Sequence, residues 1–252
     1  GARTKTACQS KMHAKCIDTA RGVGHKGGMR EHPLLMKGPL VRATLAGLKT
    51  QTRRPIKPQP GPDIVDFEYD PDADLWLGNT QEDNDLGYCS SWSAHIGGPD
   101  DVLWVRETCA IVHPCVDPET GNVDDLRQPK GIPKDSENGW WKAWYRASYT
   151  GDDTKDDRGF DWTPAIHMPR WACRLRLPLV KVRIERVQSI SEADAIAEGL
   201  RRTDFGWTDG TTGYDTVSAR EAFRELWDSI YGTWGQNPWV AVYEWGQIEV
   251  SR

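Results

Sequence analysis

The chain has 252 residues, a formal net charge of −5, 38% hydrophobic residues and thirteen tryptophans. This length is enough to bury a full core, so we expect one domain with large insertions. The overall acidity argues against a protein that coats duplex nucleic acid without specificity. The sequence contains no apolar run of transmembrane length, and we therefore expect no membrane partner and a cytoplasmic location.

The charge is divided unevenly along the chain. Residues 1–57 contain thirteen lysines and arginines but two acids, whereas residues 61–101 contain eleven acids and no lysine or arginine. A second basic group comprises Arg170, Arg174, Arg176, Lys181, Arg183 and Arg186. Like-charged stretches are commonly solvated surfaces, but two basic segments that converge would suit one anionic ligand.

The six cysteines show no metal-binding spacing. They form no Cys-x-x-Cys pair and no cluster with histidine. We therefore expect reduced thiols, no disulfides, no metal and no cofactor. The cysteines are Cys8, Cys16, Cys89, Cys109, Cys115 and Cys173.

Residues 1–28 are predicted to be a disordered basic extension, because they contain almost no sustained apolar period. A basic arm that binds nucleic acid is the alternative interpretation. We expect the native start at Met29 and a single domain over 29–252.

The first functional candidates lie in a short basic corner. Residues 39–46 have apolar residues at helical spacing, with a proline in the first turn, and Gly47 is suited to the left-handed position that ends a helix. The threonines that follow favour a strand. A helix therefore delivers Lys49, Thr52 and Arg53 to the start of a strand, although the same pattern also occurs as ordinary surface structure.

Two insertions are predicted, at about 57–100 and 113–161. The first should contain short strands at Ile64 to Tyr69 and Asp74 to Leu77. The second contains a tryptophan-rich segment over 140–146, which fits an edge strand with one aromatic face. Such a strand could stack bases or pack into a core.

The C-terminal part is predicted to alternate strands and helices. Strands are expected at Ala172 to Leu177 and Val180 to Val187, and a final strand over 239–245 should close a barrel. A helix that ends at Gly199 should start in a capping box formed by Ser189 and Glu192. A further helix, from about Ala219 to Tyr231, should start in a box at Ser218 and Glu221. Its core face should comprise Phe223, Leu226, Trp227 and Ile230.

Five motifs in this order resemble ASCH domains, a branch of the PUA-like β-barrels. The basic corner matches their Gly-x-Lys-Thr-x-Thr-x-Arg signature, with Gly47 as its first residue. The four later blocks, which are similar to the longer ASCH proteins of phages and prophages, are Leu103 to Glu107, Ile166 to Ala172, Ile190 to Gly199 and Asn237 to Val240. The resemblance implies an α+β fold: a PUA-like mixed β-barrel with about three short helices and two large loop insertions.

The resemblance also implies a chemistry. Some small ASCH proteins are amidohydrolases that act on N4-acetylcytidine, and their catalytic lysine, threonine and glutamate fall on Lys49, Thr52 and Glu198. In that scheme the threonine attacks, the lysine takes its proton, and the glutamate acts as acid or orients the lysine. Since Lys49 and Thr52 have an odd separation, the scheme needs the lysine in the turn before the strand or a bulge between the two residues. The candidate substrate-binding residues are Arg53, Arg106, His167, Arg170 and Trp171.

We therefore expect a protein that binds a nucleoside or a nucleic-acid base and hydrolyses an N4-acylated cytidine or a related amide. Its predicted partner is a nucleoside or a single-stranded nucleic acid, with RNA favoured over DNA. The main alternative is a non-catalytic module that reads RNA or modified DNA through basic and aromatic side chains. A ribonuclease that uses Lys49 is the third interpretation.

Overall fold

The computed structural model describes residues 29–72, 75–82, 92–94, 97–116, 123–149, 159–210 and 215–251. Across these ranges the fold combines three α-helices with four β-sheets, which confirms the α+β prediction. The predicted extension over 1–28 lies outside the described residues, as does Asp74, the first residue of one predicted strand.

The helices are α1 (Gly38–Leu45), α2 (Glu192–Ala197) and α3 (Ala219–Tyr231). The strands are β1 (Glu31–Leu35), β2 (Gln51–Pro55), β3 (Ile64–Asp70), β4 (Leu75–Thr80), β5 (Trp92–Ala94), β6 (Val102–Arg106), β7 (Cys109–Val116), β8 (Val123–Arg127), β9 (Lys142–Tyr145), β10 (Leu175–Arg186), β11 (Arg201–Arg202), β12 (Trp207–Thr208), β13 (Trp239–Trp245) and β14 (Glu249–Val250). The largest sheet has the order β1-β6-β10-β13-β2, and β14 pairs with β10.

This largest sheet is open, which corrects the predicted closed barrel. Strand β13 lies inside the sheet, between β10 and β2, instead of joining its two edges. Both edge strands contain a proline, Pro33 in β1 and Pro55 in β2, and proline lacks the N–H that a closing ladder needs. A side chain links the edges instead, because Nη2 of Arg54 donates to the carbonyl oxygen of Leu35 at 2.6 Å. The two edges therefore face each other across a gap, which we call the seam.

Strand β10 joins the two halves of this sheet. It pairs with β6 over residues 176–178 and with β13 over residues 179–186, and its register shifts between Leu179 and Lys181. Such an irregularity bends a strand and increases its twist. The two strands predicted over 172–177 and 180–187 are therefore one bent strand.

Helix α1 and strand β2 form as the local sequence predicts. Pro39 lies in the first turn of α1, and Gly47 has a φ of +72° just after its end. Strand β2 then pairs with β13 in antiparallel register, with Thr52 opposite Tyr243 and Arg53 opposite Val242. The corner between α1 and β2 is where Lys49 lies.

The start of α2 differs from the predicted capping box. Residues Val187–Ser189 form a 3-10 turn, so the helix begins later and Ser191 caps it by accepting from the backbone N–H of Asp194 at 3.1 Å. The carboxylate of Glu192 accepts instead from the N–H groups of Ala219 and Arg220, at 2.6 and 3.1 Å. Glu192 therefore caps the neighbouring helix α3.

Helix α3 has the predicted bounds, and Ser218 caps it by accepting from the N–H of Glu221. Phe223, Leu226 and Trp227 are buried as predicted. Ile230 is 39% exposed, so its assignment to the core face was wrong. The apolar stripe ends one turn before the helix does.

A hydrophobic core lies between the sheet and the helices. It includes Val41 of α1, Val105 of β6, Leu177 of β10 and Leu226 of α3. The first predicted insertion adds to the same core. Its strands β3, β4 and β5 form a small sheet, and Trp76 of β4 is buried in the core.

The second predicted insertion contains strand β9, which lies at the edge of the sheet β8-β7-β9. Trp141, Ala143 and Tyr145 pack against one hydrophobic cluster that includes Cys109. Trp144 packs against a second cluster with Phe160. Both faces of the strand are thus used for packing, which favours the core interpretation over base stacking.

Gly199, which ends α2, should not tolerate a side chain. Its φ is +95°, and an added Cβ would lie 2.9 Å from Cβ of Lys49 and 3.2 Å from Cβ of Ala43. We expect Gly199→Ala to lower the free energy of unfolding by about 2–4 kcal/mol, because backbone strain and overpacking add. Gly232→Ala is the control: its φ is +63°, nothing lies within 4 Å, and it should cost only about 1 kcal/mol. Equal losses in urea unfolding would contradict this account.

Candidate functional site

Lys49 lies in the turn between α1 and β2, which is a position that the amidohydrolase scheme allows. Its backbone N–H donates to the carbonyl of Ala43 at 3.1 Å, and its backbone forms an isolated bridge with Glu198. The side chain is 2% exposed and reaches the end of α2. The turn thus delivers a lysine into the interior of the protein.

All three donors of the Lys49 ammonium group have an acceptor. Nζ lies 2.8 Å from Oε2 of Glu198, 2.8 Å from the carbonyl oxygen of Glu198 and 2.8 Å from the carbonyl oxygen of Gln51. An ammonium group has three N–H donors, so these contacts use its full capacity. A neutral amine, which has two N–H groups, could satisfy only two of them.

Two opposed effects act on the pKa of Lys49. Burial lowers the pKa, because desolvation disfavours the charged form, while the charge of Glu198 and its hydrogen bond raise it. The net direction is downward. The three oxygen contacts nevertheless require the protonated form, so we assign a charged lysine to this geometry.

Arg53 binds the other oxygen of the same carboxylate. Its Nη1 lies 3.0 Å from Oε1 of Glu198, and the guanidinium is fully enclosed. Its Nε and Nη2 both donate to Oε1 of Glu185, at 3.0 and 2.7 Å. Nη2 also lies 3.3 Å from Oδ2 of Asp194. This predicted substrate-binding arginine is therefore occupied by protein carboxylates.

A second layer of ion pairs extends this group towards the surface. Arg183 contacts Glu185, Asp194 and Glu244, and Gln51 donates from Nε2 to Oδ1 of Asp194 at 3.1 Å. Burial alone would raise the pKa of Asp194, but hydrogen bonds from Gln51 and Ser191 and the two arginine charges lower it overall.

We call this set the charge cluster; its members are Lys49, Arg53, Arg183, Glu185, Asp194, Glu198 and Glu244. Three cations face four carboxylates in it. The cluster therefore has no surplus positive charge for a phosphate or another anion. Because a buried charge that loses its partner is costly, this arrangement suits a structural role as well as a binding role.

Thr52, the third residue of the implied catalytic set, lies on a different side of β2 from Lys49 and Glu198. Successive side chains of a strand point to opposite faces, and Arg53 already points to the charge cluster. Thr52 is 4% exposed and stands directly opposite Tyr243 in the ladder, so the two share a face. The structure thus brings Lys49 and Glu198 together and places Thr52 on the other side of β2.

Arg170 and Arg106 belong to a different group, around Trp104 of β6. Each guanidinium carbon lies 5.4 Å from the centre of the Trp104 ring. Arg170 also donates twice to the carboxylate of Glu31, at 2.8 and 2.7 Å, and these hydrogen bonds lower the pKa of Glu31. Arg170 thus ties its loop to strand β1.

Arg106 and Trp171 also hold loops. Nη2 of Arg106 donates to the carbonyl oxygen of Ile166, and Nε1 of Trp171 donates to that of Pro133 at 2.9 Å. His167 is exposed. The contacts of these residues include no member of the charge cluster.

A cavity of about 460 Å³ lies at the seam, and sequence analysis did not predict it. It is bordered by both edge strands and by the end of helix α3. Its lining residues are His32, Pro33, Leu34, Leu35, Arg54, Leu103, Tyr231 and Tyr243. The volume falls in the range typical of small-molecule sites.

Arg54 and two tyrosines supply polar groups to this cavity. Nη1 of Arg54 donates to the hydroxyl of Tyr231 at 2.8 Å, while Nη2 holds the carbonyl of Leu35. Burial raises the pKa of Tyr243 to about 12 although Arg54 opposes the shift, so this phenol is neutral at ordinary pH. The cavity thus combines a guanidinium, phenolic hydroxyls and aromatic rings.

One sequence signal could have pointed to Arg54. It follows Arg53 in the predicted strand β2, so the two arginines had to face opposite sides. Choosing which side carries a ligand, however, requires the strands that pack on each side. Tyr231 and Tyr243 come from other elements, and no local spacing connects them to Arg54.

In the described part of the chain, no three His, Cys, Asp or Glu side chains are grouped so that they could hold a metal ion. None of the helices formed by the described residues combines the length and the apolar character needed to cross a membrane. Comparisons with protein-family models, with curated proteins and with solved structures found no match.

Breaking the buried ion pair should destabilise the protein strongly. We expect Lys49→Met to lower the free energy of unfolding by about 3–5 kcal/mol, because one buried carboxylate loses a partner and two carbonyls lose a donor. The double variant Lys49→Met/Glu198→Leu should lose less than the two single variants together, because the pair is coupled. Denaturant titrations measure all three.

Lys181→Met is the matched control for this prediction, because Lys181 is an exposed lysine of β10. It should change the free energy of unfolding by less than about 0.5 kcal/mol. If Lys49→Met behaves like Lys181→Met, the buried pair does not stabilise the fold.

Proposed function

We propose that this protein binds a nucleoside or a nucleic-acid base in the seam cavity, as an ASCH-type protein. The observation that carries the proposal is the cavity of about 460 Å³ in which Arg54, Tyr231, Tyr243 and His32 meet apolar side chains. A cleft of this size, mainly apolar and with a few polar groups, suits one small planar molecule. A polymer could present one base to it.

The side chains that line the cavity suit the flat faces and hydrogen-bonding edges of a base. A base has flat faces that pack on aromatic rings and edges that both donate and accept hydrogen bonds. The guanidinium of Arg54 has five N–H groups, and its contacts with Tyr231 and Leu35 account for two of them. The others are suited to a carbonyl oxygen of a base or to a phosphate.

Two local features support the ASCH assignment. Gly47 has the positive φ that its place in the signature suggests, and Lys49 of the signature contacts Glu198 of the later helix block at 2.8 Å. The hydrogen bond from Arg54 to the carbonyl of Leu35 also links the two edges of the largest sheet, although the sheet itself is open.

Calorimetric titration with cytidine, N4-acetylcytidine and a short single-stranded RNA tests this proposal. We expect nucleoside binding that Arg54→Ala weakens about 10- to 100-fold, because a charged hydrogen-bond donor is lost. Arg202→Ala, an exposed arginine of β11, should leave the affinity unchanged. Binding of RNA without binding of any nucleoside would favour the polymer-reading alternative, and an unchanged affinity of Arg54→Ala would contradict the cavity.

Hydrolysis of an N4-acylated cytidine is a second candidate function. The observation that favours it is the buried contact between Lys49 and Glu198, two members of the catalytic set implied by the ASCH resemblance. In that scheme Thr52 is the nucleophile, Lys49 its base and Glu198 an acid or an orienting group. The scheme requires Lys49 to give up one of its three contacts and Thr52 to be reached from the other face of β2.

Incubation of purified protein with N4-acetylcytidine, followed by chromatography, tests this activity. This candidate predicts release of cytidine that Lys49→Ala and Glu198→Ala abolish, because the implied scheme needs both side chains, whereas turnover in the seam cavity would survive both substitutions. Circular dichroism of each variant should accompany the assay, since the charge cluster also supports the fold. Full activity in a folded Lys49→Ala variant would remove Lys49 from the chemistry.

A further inference from the structure

A second pair of acid–base groups, which the ASCH resemblance does not include, lies at the seam cavity, with one member lining the cavity and the other behind it. His32 lies on β1 and lines the cavity, and its Nε2 is 2.9 Å from Oδ2 of Asp101. Asp101 directly precedes β6, the strand that pairs with β1. The two side chains are thus neighbours because of the parallel ladder between β1 and β6.

Asp101 is held firmly in place. It is 7% exposed, and its carboxylate also accepts from the backbone N–H groups of Arg30 and Gly98, at 3.0 and 3.1 Å. A carboxylate can only accept hydrogen bonds, so Nε2 of His32 must be the donor in their contact. In the neutral form of the ring, Nδ1 is then the nitrogen that carries the lone pair.

The packing of the His32 ring against Gly97 determines on which side of the ring Nδ1 lies. A Cβ added at Gly97 would lie 3.3 Å from both Oδ2 of Asp101 and Nε2 of His32, and 3.5 Å from Cδ2 of His32. The edge that contains Nε2 and Cδ2 therefore packs against Gly97. Nδ1 lies on the opposite side of the ring, and the side chain keeps 36% exposure.

We propose that His32 and Asp101 form an acid–base dyad, in which His32 is the catalytic base and Asp101 a positioning residue, for hydrolysis of an amide on the exocyclic nitrogen of a base. This inference rests on the proposed nucleoside binding in the cavity. A histidine whose tautomer is set by a buried carboxylate is a common arrangement for activating a nucleophile. Unlike Lys49, whose three donors are all used, His32 has an available lone pair.

The reaction balances without another reactant. Nδ1 of His32 takes one proton from water while the water oxygen attacks the acyl carbon, and the carbonyl electrons move to its oxygen. Arg54 lines the same cavity and carries the positive charge that such an oxyanion needs. The carbonyl then re-forms, the C–N bond breaks, and the imidazolium returns its proton to the leaving nitrogen. The products are a carboxylic acid and the free amino base.

His32→Gln and Asp101→Asn test this dyad in the full chain, with N4-acetylcytidine as the probe for turnover and cytidine as the probe for binding. Glutamine can still donate to Asp101 but has no basic nitrogen. We expect kcat to fall about 10²- to 10⁴-fold in His32→Gln and about 10²-fold or more in Asp101→Asn, a larger loss than the change in the Kd for cytidine, which His32 affects only as one of several lining side chains. His113→Gln, on the sheet β8-β7-β9, is the control with unchanged kcat.

The remaining outcomes distinguish the dyad from the proposed binding function. Wild-type kcat in His32→Gln would overturn the dyad, and so would binding of cytidine without any turnover of the acylated probe, which leaves the proposed binding function intact. Absence of cytidine binding together with absence of turnover would overturn both proposals. If Asp101→Asn does not fold, His32→Gln alone decides, because His32 is a partly exposed side chain of an edge strand.

Discussion

The carboxylate of Glu198, shared by Lys49 and Arg53, is the interaction on which the arrangement of this protein depends. One oxygen faces Nζ of Lys49 at 2.8 Å and the other faces Nη1 of Arg53 at 3.0 Å. Both contacts can form only when α2 ends beside the turn before β2. Because buried charges are costly when they lose a partner, this carboxylate selects one register for β2.

That constraint also divides the chemistry of β2 between two faces. Arg53 and Gln51 turn towards the charge cluster, so Thr52 and Arg54 turn the other way. The cations of the charge cluster are paired with its own carboxylates, whereas Arg54 lines the seam cavity. The charge cluster and the lining of the seam cavity are thus formed by alternate residues of one short strand.

Elements with strong local signals could be predicted from the sequence. Helix α3 begins at Ser218 and ends before Gly232, and both residues satisfy the backbone of that helix themselves. Glu192 shows the limit of such signals: its spacing from Ser189 suggested a capping box, yet it caps α3, which is 27 residues away in sequence. The open sheet and the cavity likewise depend on contacts between residues that are far apart in sequence. No spacing within a single element could have revealed them.

Arg54 has two roles that compete with each other. Its Nη2 joins the two edges of the sheet through the carbonyl of Leu35, and the same guanidinium lines the cavity. A ligand that engages Nη2 must first release β1, so part of its binding free energy is used to open the seam. Occupancy would then leave two strand edges less tightly joined, and unpaired edges readily accept another strand. Ligand binding at Nη2 and strand pairing at the two sheet edges would therefore be thermodynamically linked through one side chain.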